Sequence, residues 1–117
     1  MSSMSKVYPL NKGNVEKHAL ENRGSYRLGN ALNEKGGLDG VSYVGRDDVN
    51  VRTRLMDHVN SGKASYFRVF NADSVREAYE QECKDYHEFK PAENTNHPAK
   101  PKNHQYPCPV SGCEYCE

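Results

Sequence analysis

One acid of this chain falls inside an otherwise apolar stripe. From Val75 onward the spacing predicts a helix, and at roughly 100° per residue Val75, Ala78, Tyr79, Tyr86 and Phe89 gather on one side. Glu82 falls about 20° from Val75 on the same wheel. Glu77, Glu80, Asp85 and Glu88 fall on the flanks or the far side. A carboxylate on a packing face loses hydration and needs compensation. A metal ion, an arginine or a cleft wall would each supply it. An earlier segment repeats the theme. Val51, Leu55, His58 and Val59 follow helical spacing, and Arg54 flanks their stripe. Arg54 and His58 are i and i+4, hence surface neighbours. Either they are a core-edge histidine packed beside an arginine stem, or they serve a site.

The C-terminal stretch carries a second chemical pattern. Cys108, Cys113 and Cys116 form C-x4-C-x2-C, with His104 four residues before and His97 further back. Three cysteines and a histidine make a tetrahedral zinc set. Pro109 and Gly112 are turn formers that suit a metal knuckle. The alternative is a loose tail with reactive thiols. Cys83, near the apolar side of the Val75 helix, reads as a small core residue.

These side chains need elements to position them. Residues 1–23 are polar, with a short helix expected around Asn14 to Asn22. Ser25 to Leu28 alternates in polarity and reads as a strand, with Tyr26 and Leu28 on one face. Gly29 to Gly40 holds several turn formers and reads as a long connection. Val41 to Val44 is a second strand, closed by Gly45, with Val41 and Tyr43 expected on one face. The two strands should pair as an antiparallel hairpin. Asp47-Asp48 offers an N-cap for a helix to about Asn60, ended by Gly62. Tyr66 to Phe70 is a third strand. Ser74 with Glu77 makes a capping box for the helix from Val75 to about Phe89, which Pro91 ends. The order β-β-α-β-α predicts a small α/β layered (α+β) domain, a three-stranded, mainly antiparallel sheet flanked by helices. An irregular Pro- and Cys-rich tail, residues 91–117, follows.

Composition narrows the function classes. The chain has 117 residues, of which 35% are hydrophobic, and a mean hydropathy of −0.98. One domain with a lean core is the expectation. No apolar run approaches a membrane span, and no hydrophobic run follows the first residues, so an intracellular protein with reduced cysteines is expected. Net charge is zero but uneven: residues 1–70 carry 11 Lys/Arg and 7 Asp/Glu, residues 71–117 carry 5 and 9. A basic front half could meet phosphates, and an acidic back half could hold a cation.

Gly24-Ser25-Tyr26, Tyr43-Val44-Gly45, Arg54-Leu55, His58 and Glu82, in this order on these elements, resemble the GIY-YIG nuclease superfamily over residues 24–90. The second motif, Gly40-Val41-Ser42-Tyr43-Val44-Gly45-Arg46, is the closer match. Ser25 stands where the family has an apolar residue, and the tyrosines lie 17 residues apart, a longer interval than the family's. Any one tripeptide is common, so the ordered set carries the resemblance. It implies a metal-dependent endonuclease that hydrolyses phosphodiester bonds in DNA, in repair, recombination, restriction or mobile-element processing. Tyr26, Tyr43, Arg54, His58 and Glu82 would be catalytic, with Glu82 holding Mg²⁺ or Mn²⁺. Arg54 would clamp a phosphate, Tyr26 would act as general base, and Tyr43 or His58 would orient water or relay the proton. Asn94 or Asn96 would complete the set. Arg46, Arg52 and Lys63 would steer the nucleic-acid backbone. A structural Zn²⁺ on His104, Cys108, Cys113 and Cys116 would pin the tail. With no room for a large recognition domain, a protein partner, self-association or a structure-selective substrate is implied. The competing expectation is a non-catalytic nucleic-acid or protein binding module of the same fold, stabilised by zinc.

Overall fold

The strand from Gly24 to Leu32 has a partner on each side, and the domain is assembled around it. A computed structural model describes residues 3–62, 64–89, 91, 94, 98–101, 106 and 108–110. Its elements are β1 (Ser3–Met4), β2 (Tyr8–Pro9), α1 (Lys12–His18), β3 (Gly24–Leu32), β4 (Leu38–Asp47), α2 (Val51–Ser61), β5 (Tyr66–Asn71) and α3 (Val75–Phe89). The main sheet runs β5-β3-β4, and β1 and β2 both pair with β5, all antiparallel. The result is a small α+β fold with five strands, not three. β1 and β2 have two residues each, too few for alternation to be read. The residues before Gly24 thus join the sheet, and α1 packs on α2.

Period-2 alternation on β3 and β5 sorts the side chains. Tyr26, Leu28, Phe67 and Val69 share a core with Val15 and Ala19 near α1, and Val51 and Leu55 from α2. Arg27 and Arg46, out of phase with Tyr26, meet α3. Arg52 bonds Ala19 O at 2.8 Å and Glu16 O at 3.1 Å, holding the end of α1 against α2.

Three local expectations are corrected. The strands run to Leu32 and from Leu38, so the connection shrinks to a turn over Asn33 and its neighbours up to Gly37. Asn33 holds this turn, its Oδ1 accepting from Lys35 N and Gly37 N, while Gly36 takes φ +80°. Leu28 pairs with Tyr43 but Gly29 with Val41, which leaves Ser42 as an extra residue on β4. That bulge breaks the alternation that would have put Val41 and Tyr43 on one face. Finally, Asn50 caps α2, accepting from Thr53 N. Asp47 Oδ1 accepts instead from Val49 N and Asn50 N, shaping the approach.

Gly45 is fixed by contact. Tyr26 lies opposite it in register, and a Cβ on Gly45 would overlap the Tyr26 ring. The glycine therefore lets the Tyr26 phenol lie across the outer strand. Among the described residues, no helix is long and apolar enough to cross a membrane. Gly45→Ala is expected to destabilise the domain by about 1–3 kcal/mol in denaturant unfolding, as overpacking of a filled core does. A midpoint within error of the unsubstituted protein would show that the ring does not need this space.

Candidate functional site at the edge of β4

The bare Cα of Gly45 brings one face of the sheet to its outer edge. Tyr26 is only 2% exposed, and its hydroxyl lies 2.9 Å from His58 Nε2. Tyr43 joins from β4, with its ring centroid 6.2 Å from that of Tyr26 and 5.4 Å from that of His58. Three rings from β3, β4 and α2 thus form one cluster. It follows from the Tyr26–Gly45 register and from His58 facing the sheet beside Leu55.

Burial pushes the Tyr26 hydroxyl far above the usual phenol range, and Tyr43 adds to this. Arg54 pulls it down and Glu82 pushes it up. Arg54 and Glu82 therefore act on the same hydroxyl from α2 and α3. Arg54 is at the rim, its side chain 52% exposed and its Nη2 3.6 Å from Asp47 Oδ2. Of the five residues singled out from the sequence, Tyr26, Tyr43 and His58 are in contact, whereas Arg54 and Glu82 reach the Tyr26 hydroxyl only through their charge. In the metal-free protein these surroundings favour the neutral phenol.

On the other face, Glu82 is 9% exposed, and its Oε1 accepts from Arg46 Nη1 at 2.9 Å. Arg46 Nε also donates to Asp48 Oδ1 at 2.7 Å, and its guanidinium lies over the Tyr79 ring. One cation thus serves two carboxylates. Burial pushes the Glu82 carboxyl up to about 7, Arg46 opposes this, and Asp48 and Asp85 push it further. This set has one negative charge in excess, which a proton or a bound cation would neutralise. Among the described residues the hydrogen bond to Glu82 is at Oε1, which leaves Oε2 for a hard cation with mostly water ligands. No group of three or more His, Cys, Asp or Glu among the described residues could hold a metal.

Comparisons with models of protein families, with curated proteins and with solved structures find no match. The site is therefore read from its own geometry.

Asn94 closes the outer edge: its Oδ1 accepts from Val44 N at 2.8 Å, and its Nδ2 donates to Val44 O at 2.9 Å. The side-chain amide stands in for a neighbouring strand there. Asn96 lies outside the described residues, as do Lys63, His104, Cys113 and Cys116. Arg46 and Arg52, expected to steer nucleic acid, both make internal ion pairs, Arg46 with Glu82 and Asp48, and Arg52 with Glu21. Cys108 is buried in a cluster with Tyr79 and Cys83. Its sulfur hydrogen-bonds Cys83, whose thiol burial pushes up.

Sequence reasoning missed Asp85, which it put off the packing face. Asp85 is 1% exposed and takes Arg27 Nη2 at 2.8 Å and Gln81 Nε2 at 3.0 Å. The available signal was Arg27, a cation out of phase with Tyr26 on an interior strand, which demands a buried acid. Glu82 also sets a pH dependence. Its folded value is about 7 against an ordinary 4.5, so between these the folded state holds the extra proton. The stability this gives is complete below about 4.5 and is lost as pH rises through about 7. Glu82→Gln should therefore gain on wild type between pH 5 and pH 8, by on the order of 2 kcal/mol in denaturant unfolding without divalent ions. A difference between the two that is flat with pH would contradict this.

Proposed function

We propose that the protein is a divalent-cation-dependent nuclease of the GIY-YIG type, hydrolysing phosphodiester bonds in DNA. What supports this is the contact of Tyr26 with Tyr43 and His58, together with the electrostatic influence of Arg54 and Glu82 on the Tyr26 hydroxyl. Three aromatic side chains, a rim guanidinium and a buried carboxylate with an unshared oxygen match what in-line attack on phosphorus requires. The cation would be Mg²⁺ or Mn²⁺ held by Glu82, and when bound it neutralises charge on the phosphoryl oxygens.

The chain's own groups take the remaining roles. Arg54, half exposed at the rim, binds a non-bridging phosphate oxygen through its planar donors. A water molecule attacks phosphorus, and the bond from phosphorus to the leaving sugar oxygen breaks. The water's proton enters the Tyr43–Tyr26–His58 cluster, where the net acceptor is the His58 imidazole. The leaving oxygen takes a proton from solvent. Tyr26 relays rather than ionises, because its buried phenol resists carrying charge. This assigns His58 the general-base role that the sequence reading gave to Tyr26.

A second reading, a non-catalytic binding module, has one specific observation in its favour: Arg46 already occupies one oxygen of Glu82. Cleavage assays separate the two. Branched, flapped, nicked and duplex DNA should be cut with Mn²⁺ or Mg²⁺, and a chelator should stop the reaction. Glu82→Ala should lower the rate by at least about 10²-fold and Arg54→Ala by about 10²-fold, typical for losing one electrostatic contact to a transition state. Binding without cleavage on all substrates would leave the module. For the tail, we propose one structural zinc on Cys108, Cys113, Cys116 and His104. Native mass spectrometry should show one zinc per chain that is lost in Cys113→Ser. Metal-free wild type would remove the zinc reading.

A further inference from the structure

A pocket of about 450 Å³ lies away from the rings and Glu82, lined by Lys6, Val7, Lys35, Gly36, Gly37 and Arg68. It shares no residue with the candidate catalytic site. Its electrostatics are unbalanced. Arg68 lies directly opposite Arg27 in the β3–β5 register. Like charges in facing positions repel. Arg27 is matched by Asp85 at 2.8 Å, but among the described residues Lys6, Lys35 and Arg68 have no ion pair. Among the described residues, the Arg68 guanidinium donates one hydrogen bond, from Nε to Ser5 O at 2.7 Å. Burial and Arg27 both lower the affinity of Arg68 for its proton. Asp85 acts on Arg68 in the opposite sense but is already paired with Arg27, so among the described residues the half-buried Arg68 guanidinium has no carboxylate of its own.

The three cations are held on ordered backbone. Ser5 pairs with Val69 through Ser5 N to Val69 O at 2.7 Å, which fixes Lys6 next to Arg68. Asn33 fixes the hairpin turn that carries Lys35. Gly36 and Gly37 have no side chains to obstruct the opening, so a ligand can lie close to the backbone. Among the described residues that line the pocket, Val7 is the single apolar side chain, which favours a charged ligand over an apolar one.

We propose that this pocket binds a phosphodiester of a nucleic-acid backbone, as a second contact outside the catalytic edge. Lys6 and Lys35 take phosphate oxygens from the lip, and Arg68 takes them from the floor. The contact reads charge and not sequence. It rests on the nuclease reading only for the kind of polyanion chosen, and it does not require cleavage.

The test is fluorescence anisotropy of a labelled DNA duplex across a salt series, with a chelator and no divalent ion. Wild type is compared with Lys6→Ala/Lys35→Ala, whose exposed substitutions spare the core, and with Arg68→Gln. The double variant should bind at least tenfold more weakly, and its slope of log affinity against log salt should be shallower by about 2, one per lost phosphate contact. Equal affinity and slope in wild type and double variant would overturn the pocket while leaving the catalytic edge untouched. No duplex binding by wild type would overturn both readings. Inorganic phosphate and labelled polyglutamate are run in parallel. Thermal stabilisation by phosphate that the double variant loses, with DNA affinity unchanged, would overturn the backbone assignment in favour of a free anion. Polyglutamate binding as tight as DNA, and lost in the double variant, would overturn it in favour of an acidic protein.

Discussion

Arg46 is shared between Glu82 and Asp48, and the character of the candidate site follows from that sharing. Two buried or half-buried carboxylates with one guanidinium leave a charge unmatched. Desolvation makes such a charge costly in an interior. The fold resolves the cost with a proton on Glu82 near neutral pH, or with a cation if one is bound. A structural ion pair alone would require no excess. The surplus is what distinguishes such a carboxylate from a satisfied one, and its charge is felt at the hydroxyl of Tyr26.

The second constraint is steric. The rings lie on the face packed by α1 and α2, whereas Glu82 belongs to α3 on the other face. Gly45 lets Tyr26 lie over the outermost strand, and from there its hydroxyl feels the charge of Glu82. The Ser42 bulge helps by setting Tyr43 opposite Leu28, next to that edge. Asn94 then saturates the strand's outward backbone groups at Val44, so the edge there is closed to pairing with another strand. The ring cluster and the protected edge are thus consequences of one glycine and one inserted residue.

Much of this was legible in the sequence. The α3 boundaries, Val75 to Phe89, follow from a capping box at one end and a proline beyond the other. Glu82 stood out because a helical stripe is a strong local signal and an acid within it is costly. Tyr26 and Tyr43 were marked by strand alternation, but their convergence with Arg54, His58 and Glu82 came only from the family resemblance. What the residues alone could not give was non-local. Two-residue strands have no period, so β1 and β2 were invisible until β5 paired with them. A bulge is a property of two strands in register, so Val41 read wrongly. Arg46 looked like a surface cation because nothing within its own strand reveals that Glu82, 36 positions later, lies underneath. Asp85 was misjudged for the same reason: its partner, Arg27, is on another element.

The most direct test of the surplus charge is calorimetric titration of Mn²⁺ into the whole protein near pH 7, repeated in buffers of different ionisation enthalpy. One binding site is expected, with protons released on binding in an amount that grows as the pH is lowered through 7. Both the site and the proton release should vanish in Glu82→Gln. Absence of saturable Mn²⁺ binding by wild type, or equal binding by the variant, would contradict the account.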